Sequence, residues 1–362
     1  MKHKIKHLLL SLLTLTLSTG FCQVGGQSTY QFLSLTTSPR AAATGGFFVP
    51  VMDQDESQVY ANPSLLSKQM DNRLVLNYVN YISDINYGYS GYVKDFGKVG
   101  TFSLGINYLN YGKFTLADET SQTYGNFTAN ETALNVGWGY QLKEKISIGA
   151  NAKFISSQLY QYKSYGGALD AAITYYNPEK DFGVSLVVKN FGTQFSTYTP
   201  GNKESLPLDI QFGFAKKLAH APFRFTVIGH NLQSKTMWFE NLEDQKSKST
   251  SLSGSTNTVS ADTVAWGQEI MRRVALGMEF LPTQNFALRV GYNYQRQQEM
   301  KLGGQNKQGT VGFSFGAQIK IKMLTFQYTW ASYHLAGSAH FISISAKTSD
   351  FSKKKEVKAE NK

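Results

Sequence analysis

Cysteine is almost missing from this chain: Cys22 is the single one, and it stands among the first two dozen residues. If the mature protein starts after it, a disulfide framework and thiol chemistry are excluded. Long apolar runs are missing as well. Beyond the N-terminus no stretch approaches the roughly 18 residues that a membrane-spanning helix requires. A strong charge of one sign is also lacking. Lys2, Lys4 and Lys6 are three of the 36 basic residues, and without them the balance is 33 − 25 = +8. Three of those units sit after Ala346, where six lysines face Asp350, Glu356 and Glu360. That leaves a mildly basic body and a solvated end, and nothing in it calls for a nucleic-acid partner.

Residues with chemistry to offer are few. His3 and His7 belong to the N-terminal leader, which leaves His220, His230, His334 and His340. No His-x-x-x-His pair and no EF-type acidic loop occurs among them. Gly312-Phe-Ser-Phe-Gly316 fits the Gly-x-Ser-x-Gly pattern of a nucleophile elbow. It lies inside an alternating strand, however, whereas an elbow exposes its serine on a sharp strand-to-helix turn. We therefore expect no enzyme, no metal and no cofactor.

The leader itself is informative. A basic start, the short apolar run Leu8–Leu17, and Gly20 and Cys22 ahead of Gln23 read as a secretory signal peptide over residues 1–22. A lipoprotein acylated on Cys22 is the competing reading, and the bulky Phe21 before the cysteine speaks against it.

What the chain has in quantity is glycine and aromatics, 32 Gly, 21 Tyr and 24 Phe, and from residue 73 these fall into a two-residue period. In Leu324-Thr-Phe-Gln-Tyr-Thr-Trp330 the apolar residues share one face and the polar ones the other. Phe286 to Tyr294, Phe102 to Tyr108 and Leu134 to Leu142 alternate in the same way. Successive strand side chains point to opposite faces, so each segment has one greasy face and one small or polar face. Fourteen strands are expected, at 73–82, 86–95, 99–110, 130–142, 145–157, 167–176, 182–189, 208–218, 222–230, 271–280, 285–295, 308–320, 323–334 and 337–346.

The links sort by parity. Those after even-numbered strands are tight, as at Lys143 to Lys145 and Ala219 to Pro222. Most links after odd-numbered strands are long, at 111–129, 158–166, 190–207, 231–270 and 296–307; those near Ser83 and Leu335 are short. Short turns on one side and long loops on the other mark an outer-membrane barrel, with the long loops extracellular and both termini periplasmic. Closure follows because lipid offers no partner for a free backbone N–H or C=O. Tyr78, Tyr81, Trp138, Tyr140, Tyr294 and Tyr333 are read as interfacial girdle residues. Small inward residues point to a narrow or occluded lumen. Residues 23–72 do not alternate and are read as an N-terminal plug or hatch; 73–346 form the barrel and 347–362 a basic periplasmic tail.

Two stretches resemble a known family. Tyr60-Ala-Asn-Pro-Ser64, with Asn62 and Pro63 as its centre, resembles the Asn-Pro-Ala element of FadL-type barrels. Gly26-Gln-Ser-Thr-Tyr-Gln-Phe-Leu33 followed by Ser38-Pro-Arg-Ala-Ala-Ala-Thr-Gly-Gly46 is similar to the mature N-terminus of the PorV/PorQ branch of the type IX secretion system in Bacteroidota. The resemblance implies an all-β, 14-stranded antiparallel transmembrane barrel of FadL type with an N-terminal hatch, in the outer membrane of a Gram-negative bacterium. It implies the role of anchor for a PorZ-like surface protein, together with PorU- and PorV-like members of the attachment complex. The alternative implied by the wider fold is a transporter of hydrophobic small molecules, with an apolar ligand in the barrel.

Two inward charge pairs are candidate lumen sites, Lys153 with Asp170 and Glu279 with Arg289. Either they bind a polar ligand or they neutralise one another; we favour the second, since an unpaired charge there is costly. The 231–270 link contains a polar run from Lys246 to Thr256, long for a passive connection. At the extracellular mouth it offers Trp238, Phe239 and Trp266 as aromatic partner anchors; otherwise it is a loop without a partner.

Overall fold

The structure, a computed structural model, describes residues 28–234, 266–300 and 309–348. Strands β1 (Arg73–Asn80), β2 (Asn86–Asp95), β3 (Thr101–Ala117), β4 (Thr123–Lys143), β5 (Ile146–Leu159), β6 (Tyr162–Asn177) and β7 (Phe182–Ser196) make the first half. The second half is β8 (Asp209–Lys217), β9 (Phe223–Gly229), β10 (Val274–Phe280), β11 (Phe286–Asn293), β12 (Phe313–Ile321), β13 (Leu324–His334) and β14 (Gly337–Lys347). Each pairs antiparallel with its neighbours in sequence, and β1 pairs with β14, from Arg73↔Lys347 to Asn80↔His340. The sheet is thus a closed 14-stranded barrel whose two ends lie at the same rim. We call this the short-turn rim and the opposite one the long-link rim.

Burial alternates along most strands, as in β5 and β6. Leu104, Ile106, Leu134, Phe154, Leu288 and Phe326 are among the large apolar side chains exposed on the outside. In water so broad a greasy band has no rationale, whereas facing lipid it completes the solvation that closure gives the backbone. This is the architecture of an outer-membrane barrel.

The strands depart from expectation chiefly at the long-link rim. The 111–129 link is a continuation of β3 and β4, paired through Lys113↔Thr128 and Leu116↔Gly125 past an irregularity after Asn110. Gly112, at φ 84, takes the left-handed conformation that lets the extra residue bulge. The 158–166 link shrinks to a tight turn between Leu159 and Tyr162. β11 stops at Asn293, whose side chain accepts the Arg296 N–H and caps a short helix, Tyr294–Glu299. Tyr294 therefore lies in that helix rather than in a strand. Tyr81 and Tyr333 are not girdle residues either. They share the inward parity of Val79 and Ala331 and pack against the apolar cluster inside the barrel.

Inside the barrel runs the non-alternating segment from residue 28 to β1. Ser38 accepts the Ala41 N–H and, with Pro39 in the first turn, starts the helix Pro39–Ala43. Short 3₁₀ turns follow at Glu56–Gln58 and Pro63–Leu65, capped by Asp55 and Asn62. Inward glycines form its mould. A Cβ on Gly277 of β10 would stand 2.6 Å from Thr44 Cβ, and one on Gly316 of β12 2.6 Å from Ala43 Cβ. At Gly149 and Gly183 it would collide with the backbone of Pro63 and Pro50. Phe32, Leu33 and Phe48 are buried within the barrel, each worth roughly 1.5–3 kcal/mol of transfer free energy.

Candidate functional site

A group at the centre of a charge cluster within the lumen is Glu279 on β10, fully buried. Strand register brings two arginines to it, since Glu279 lies opposite Arg224 of β9 and Arg289 of β11. The Pro39–Ala43 helix supplies a third. Glu279 Oε1 accepts from Arg40 Nε and Arg289 Nε, both at 2.8 Å, and Oε2 from Arg40 Nη2 and Arg224 Nη1, both at 3.0 Å. The far side of Arg40 grips Asp53 through two 2.7 Å bonds and reaches Asp55 at 3.3 Å. Arg224 extends to Asp181 at 3.2 Å. Three arginines are thereby set against Glu279, Asp53, Asp55 and Asp181.

Such a cluster is stable only because every charge has partners; taking one away strands the others in low dielectric. Its chemistry is that of a clamp, since the arginines spend most of their donors within the cluster, Arg224 Nε being left without a partner among the described residues. Asp53 shows the balance. Burial pushes its carboxyl up, but Arg40 and then Arg224 outweigh that and hold it below the ordinary carboxylate range. Glu56 goes the other way, because burial raises it further than Arg73 lowers it. Below the clamp, towards the short-turn rim, opens a cavity of about 520 Å³, lined by Arg73, Lys217 and Lys320 as well as by Arg40, Asp53, Arg224 and Arg289 of the clamp.

Lys153 and Asp170 are brought together in a second cluster. Lys153 Nζ lies 2.7 Å from Asp170 Oδ2 and donates to Asn190 Oδ1 at 2.8 Å. Asn151 Nδ2 and the Asn190 N–H also donate to Asp170. The pair is diagonal, because the residue directly opposite Asp170 is Asn151. Tyr60 from the inner segment lays its ring 4.7 Å from the ammonium, so this cluster too faces the segment.

Asn62 and Pro63 form a third contact. Asn62 Oδ1 accepts the Ser64 N–H at 3.1 Å and its hydroxyl at 2.6 Å, while Ser64 Oγ lies 2.7 Å from Thr174 Oγ1 of β6. Pro63 rests on Gly149. The Asn-Pro element thus fastens the segment to β5 and β6. Ser314 of the Gly-x-Ser-x-Gly match lies within β12, its hydroxyl buried and unpartnered, and the strand-to-helix elbow is not formed there.

Trp238 and Phe239 lie outside the described residues. Trp266 begins the helix Trp266–Arg272 and is 81% exposed. On the same rim, the β3–β4 extension carries an aromatic row that strand counting misses. Phe114 stacks on Phe127 at 5.1 Å, and Phe127 meets Tyr160 edge-on at 4.9 Å. Its tip is ordered by Asp118, whose carboxylate is held down to about 2 by the Thr120 and Tyr124 hydroxyls and the Gln122 N–H. The partial alternation of Phe114 with Leu116 was the available sequence signal.

No protein-family model and no curated protein matches the sequence. Solved structures similar to the chain include a CymD monoaromatic hydrocarbon channel, 12% identical, with TM-score 0.49 over 86% of this chain and 97% of that one. The Pseudomonas putida toluene transporter TodX is 10% identical, with TM-score 0.45 over 86% and 96%. A Pseudomonas aeruginosa FadL homologue is 11% identical, with TM-score 0.43 over 86% and 97%. These neighbours are outer-membrane channels of FadL type, and the likeness concerns fold alone.

Proposed function

We propose that this chain is a closed outer-membrane barrel that anchors a surface partner on its long-link rim. The observation that carries the reading is the occupied lumen. The segment from residue 28 to β1 is clamped through Arg40 to Glu279 and seated in the glycine mould, so the barrel acts as a rigid, plugged base. Above it the β3–β4 extension and Trp266 present aromatic side chains suited to a protein contact. With the long links extracellular and both barrel ends periplasmic, and with the resemblance of residues 26–46 to the PorV/PorQ branch, the partner is a PorZ-like surface protein. PorU- and PorV-like proteins then complete a type IX attachment complex. Deleting the gene should move that partner from the cell surface into the medium; a partner that stays on the surface contradicts the reading.

A second reading is transport of hydrophobic small molecules across the outer membrane, the activity of the toluene transporter TodX and of the CymD hydrocarbon channel, which favours it over anchoring. A specific feature favours it. In the half of the lumen towards the long-link rim, Phe32, Leu33, Tyr87, Leu109, Ile155 and Phe341 form one apolar cluster that an apolar ligand would find congenial if the segment gave way. Purified barrel carrying such a ligand, and uptake lost on deletion, would promote this reading.

A further inference from the structure

The two ends of the inner segment lie at different rims. At its start the Thr29 N–H donates to Ser205 O at 2.9 Å, in the link between β7 and β8. The Tyr30 hydroxyl bonds Ser164 Oγ, near the start of β6 and so beside the tight β5–β6 turn. The Tyr30 ring meets that of Tyr198, also in the β7–β8 link, at 6.3 Å and edge-on. All three partners belong to the long-link rim. At its finish Asp71 accepts the Asp95 N–H at 2.9 Å and lies 3.2 Å from Lys94 Nζ, and Arg73 opens β1 at the short-turn rim. The segment therefore crosses the barrel from one rim to the other.

Packing holds the upper end as firmly as hydrogen bonds do. Phe32 and Leu33 are buried in an apolar layer with Val79 of β1, Leu109 of β3, Ile155 of β5, Ala331 of β13 and Phe341 of β14. Gln31, between Tyr30 and Phe32, is exposed. The 3₁₀ turn Gln31–Ser34 thus sets an apolar side into the layer and leaves Gln31 in solvent. That layer bars a return down the lumen to the chain ahead of Ser28, and the lipid around the barrel is closed to its backbone N–H and C=O groups.

We propose that the chain ahead of Ser28 emerges from the long-link mouth, outside the cell, as an extracellular element beside the 197–208 link. This departs from the expectation of two periplasmic termini, since only the ends of the sheet share the short-turn rim. It rests on the orientation taken under the proposed function, with the long links outward. Exposed Gln31, Thr199, Asn202 and Ser205 give this part of the mouth a neutral surface of hydroxyl and amide groups, suited to hydrogen bonding with a surface protein. Arg40 follows Ser28 by 40 − 28 = 12 residues, so a protein that grips the outer end is covalently joined to the Glu279 clamp.

The full chain, produced in a Gram-negative host without type IX components, tests this with an epitope inserted between Gly26 and Gln27. Antibody should bind it on intact cells. Where the insertion blocks assembly, Gln31→Cys stands in its place and should react on intact cells with a maleimide too large for porins. Wild type is the blank, because its single cysteine lies in the leader. Two further variants fix the orientation: Glu119→Cys, at the β3–β4 tip, should react on intact cells, and Glu144→Cys, in the β4–β5 turn, only after permeabilisation. If Glu119→Cys reacts from outside while the epitope, or Gln31→Cys in its stead, is reached only after permeabilisation, the proposal is overturned and the orientation stands. Reaction of Glu144→Cys from outside with Glu119→Cys protected overturns both.

Discussion

Arg40 and Glu279 stand 239 positions apart in sequence, and their side chains meet inside the barrel at 2.8 and 3.0 Å. This bidentate pair is the shortest statement of how the inner segment is held, because Glu279 belongs to the wall and Arg40 to the segment. Replacing Arg40 by Ala leaves Asp53 without its main partner and removes two of the four bonds to Glu279. Removing one partner of a buried pair costs about 3–5 kcal/mol. The strand ladders do not depend on it, so the barrel should persist. We expect limited proteolysis to cut Arg40→Ala within residues 28–72 while 73–347 survives; an equally resistant segment would contradict the clamp.

The glycine mould predicts a steric effect of defined place. Gly149→Leu puts a side chain where Pro63 lies and should expel the Asn62–Leu65 turn, raising single-channel conductance in planar bilayers. Gly337→Ala is the control, since its Cβ meets nothing within 4 Å, and should change stability by no more than about 0.5 kcal/mol. Equal behaviour of the two variants would show that the mould does not position the segment.

Asp170 carries a prediction about charge rather than shape. Asp170→Ala strands Lys153 in the wall and should lower the thermal midpoint markedly. Pairing it with Lys153→Met should recover most of the loss, as expected for two charges that neutralise each other. Surface retention of the partner should be unchanged in both. Lost retention in a barrel of normal stability would instead point to a lumen site that serves the partner.

How much of this was open to the sequence follows from where period and register operate. All fourteen strands were legible because each sets a lipid face against a small or polar one. The β3–β4 extension was not, since Lys113-Phe-Thr-Leu116 alternates for only four residues before the polar Asp118-Glu-Thr-Ser-Gln122, and beyond the bilayer both faces of a hairpin are wet. Glu279 and Arg289 could be matched because the short Leu281–Asn285 turn fixes their register. Arg224 was reachable by the same parity rule through the tight β8–β9 link. Arg40 was out of reach, as its place depends on the path of a segment with no period at all.

Acid should loosen the segment. Asp53 is a third exposed to the short-turn cavity and its carboxyl is held below the ordinary range by Arg40. A carboxyl lowered by folding adds stability that is complete above its unfolded value, about 3.9, and drains away as pH falls towards the folded value. Protection of residues 28–72 from protease should therefore decline below about pH 4, and Asp53→Asn should show less of that decline. A decline identical in both proteins would assign the effect to another group.

The rim prediction concerns Trp266 and the aromatic row. Trp266→Ala, or a β3–β4 hairpin shortened to end near Lys113 and Thr128, should weaken partner retention tenfold or more for a residue worth about 1.4 kcal/mol or above. Heat stability should stay close to wild type, because neither change touches the lumen. Retention unaffected by both would move the contact to other parts of the rim.

The most direct test of the account is a mild-detergent pull-down of the tagged chain from outer membranes, with mass spectrometry of what accompanies it. The account predicts a stoichiometric surface protein of PorZ type together with PorU- and PorV-like components. A barrel recovered alone, with an apolar small molecule in its lumen, would contradict anchoring and establish transport in its place.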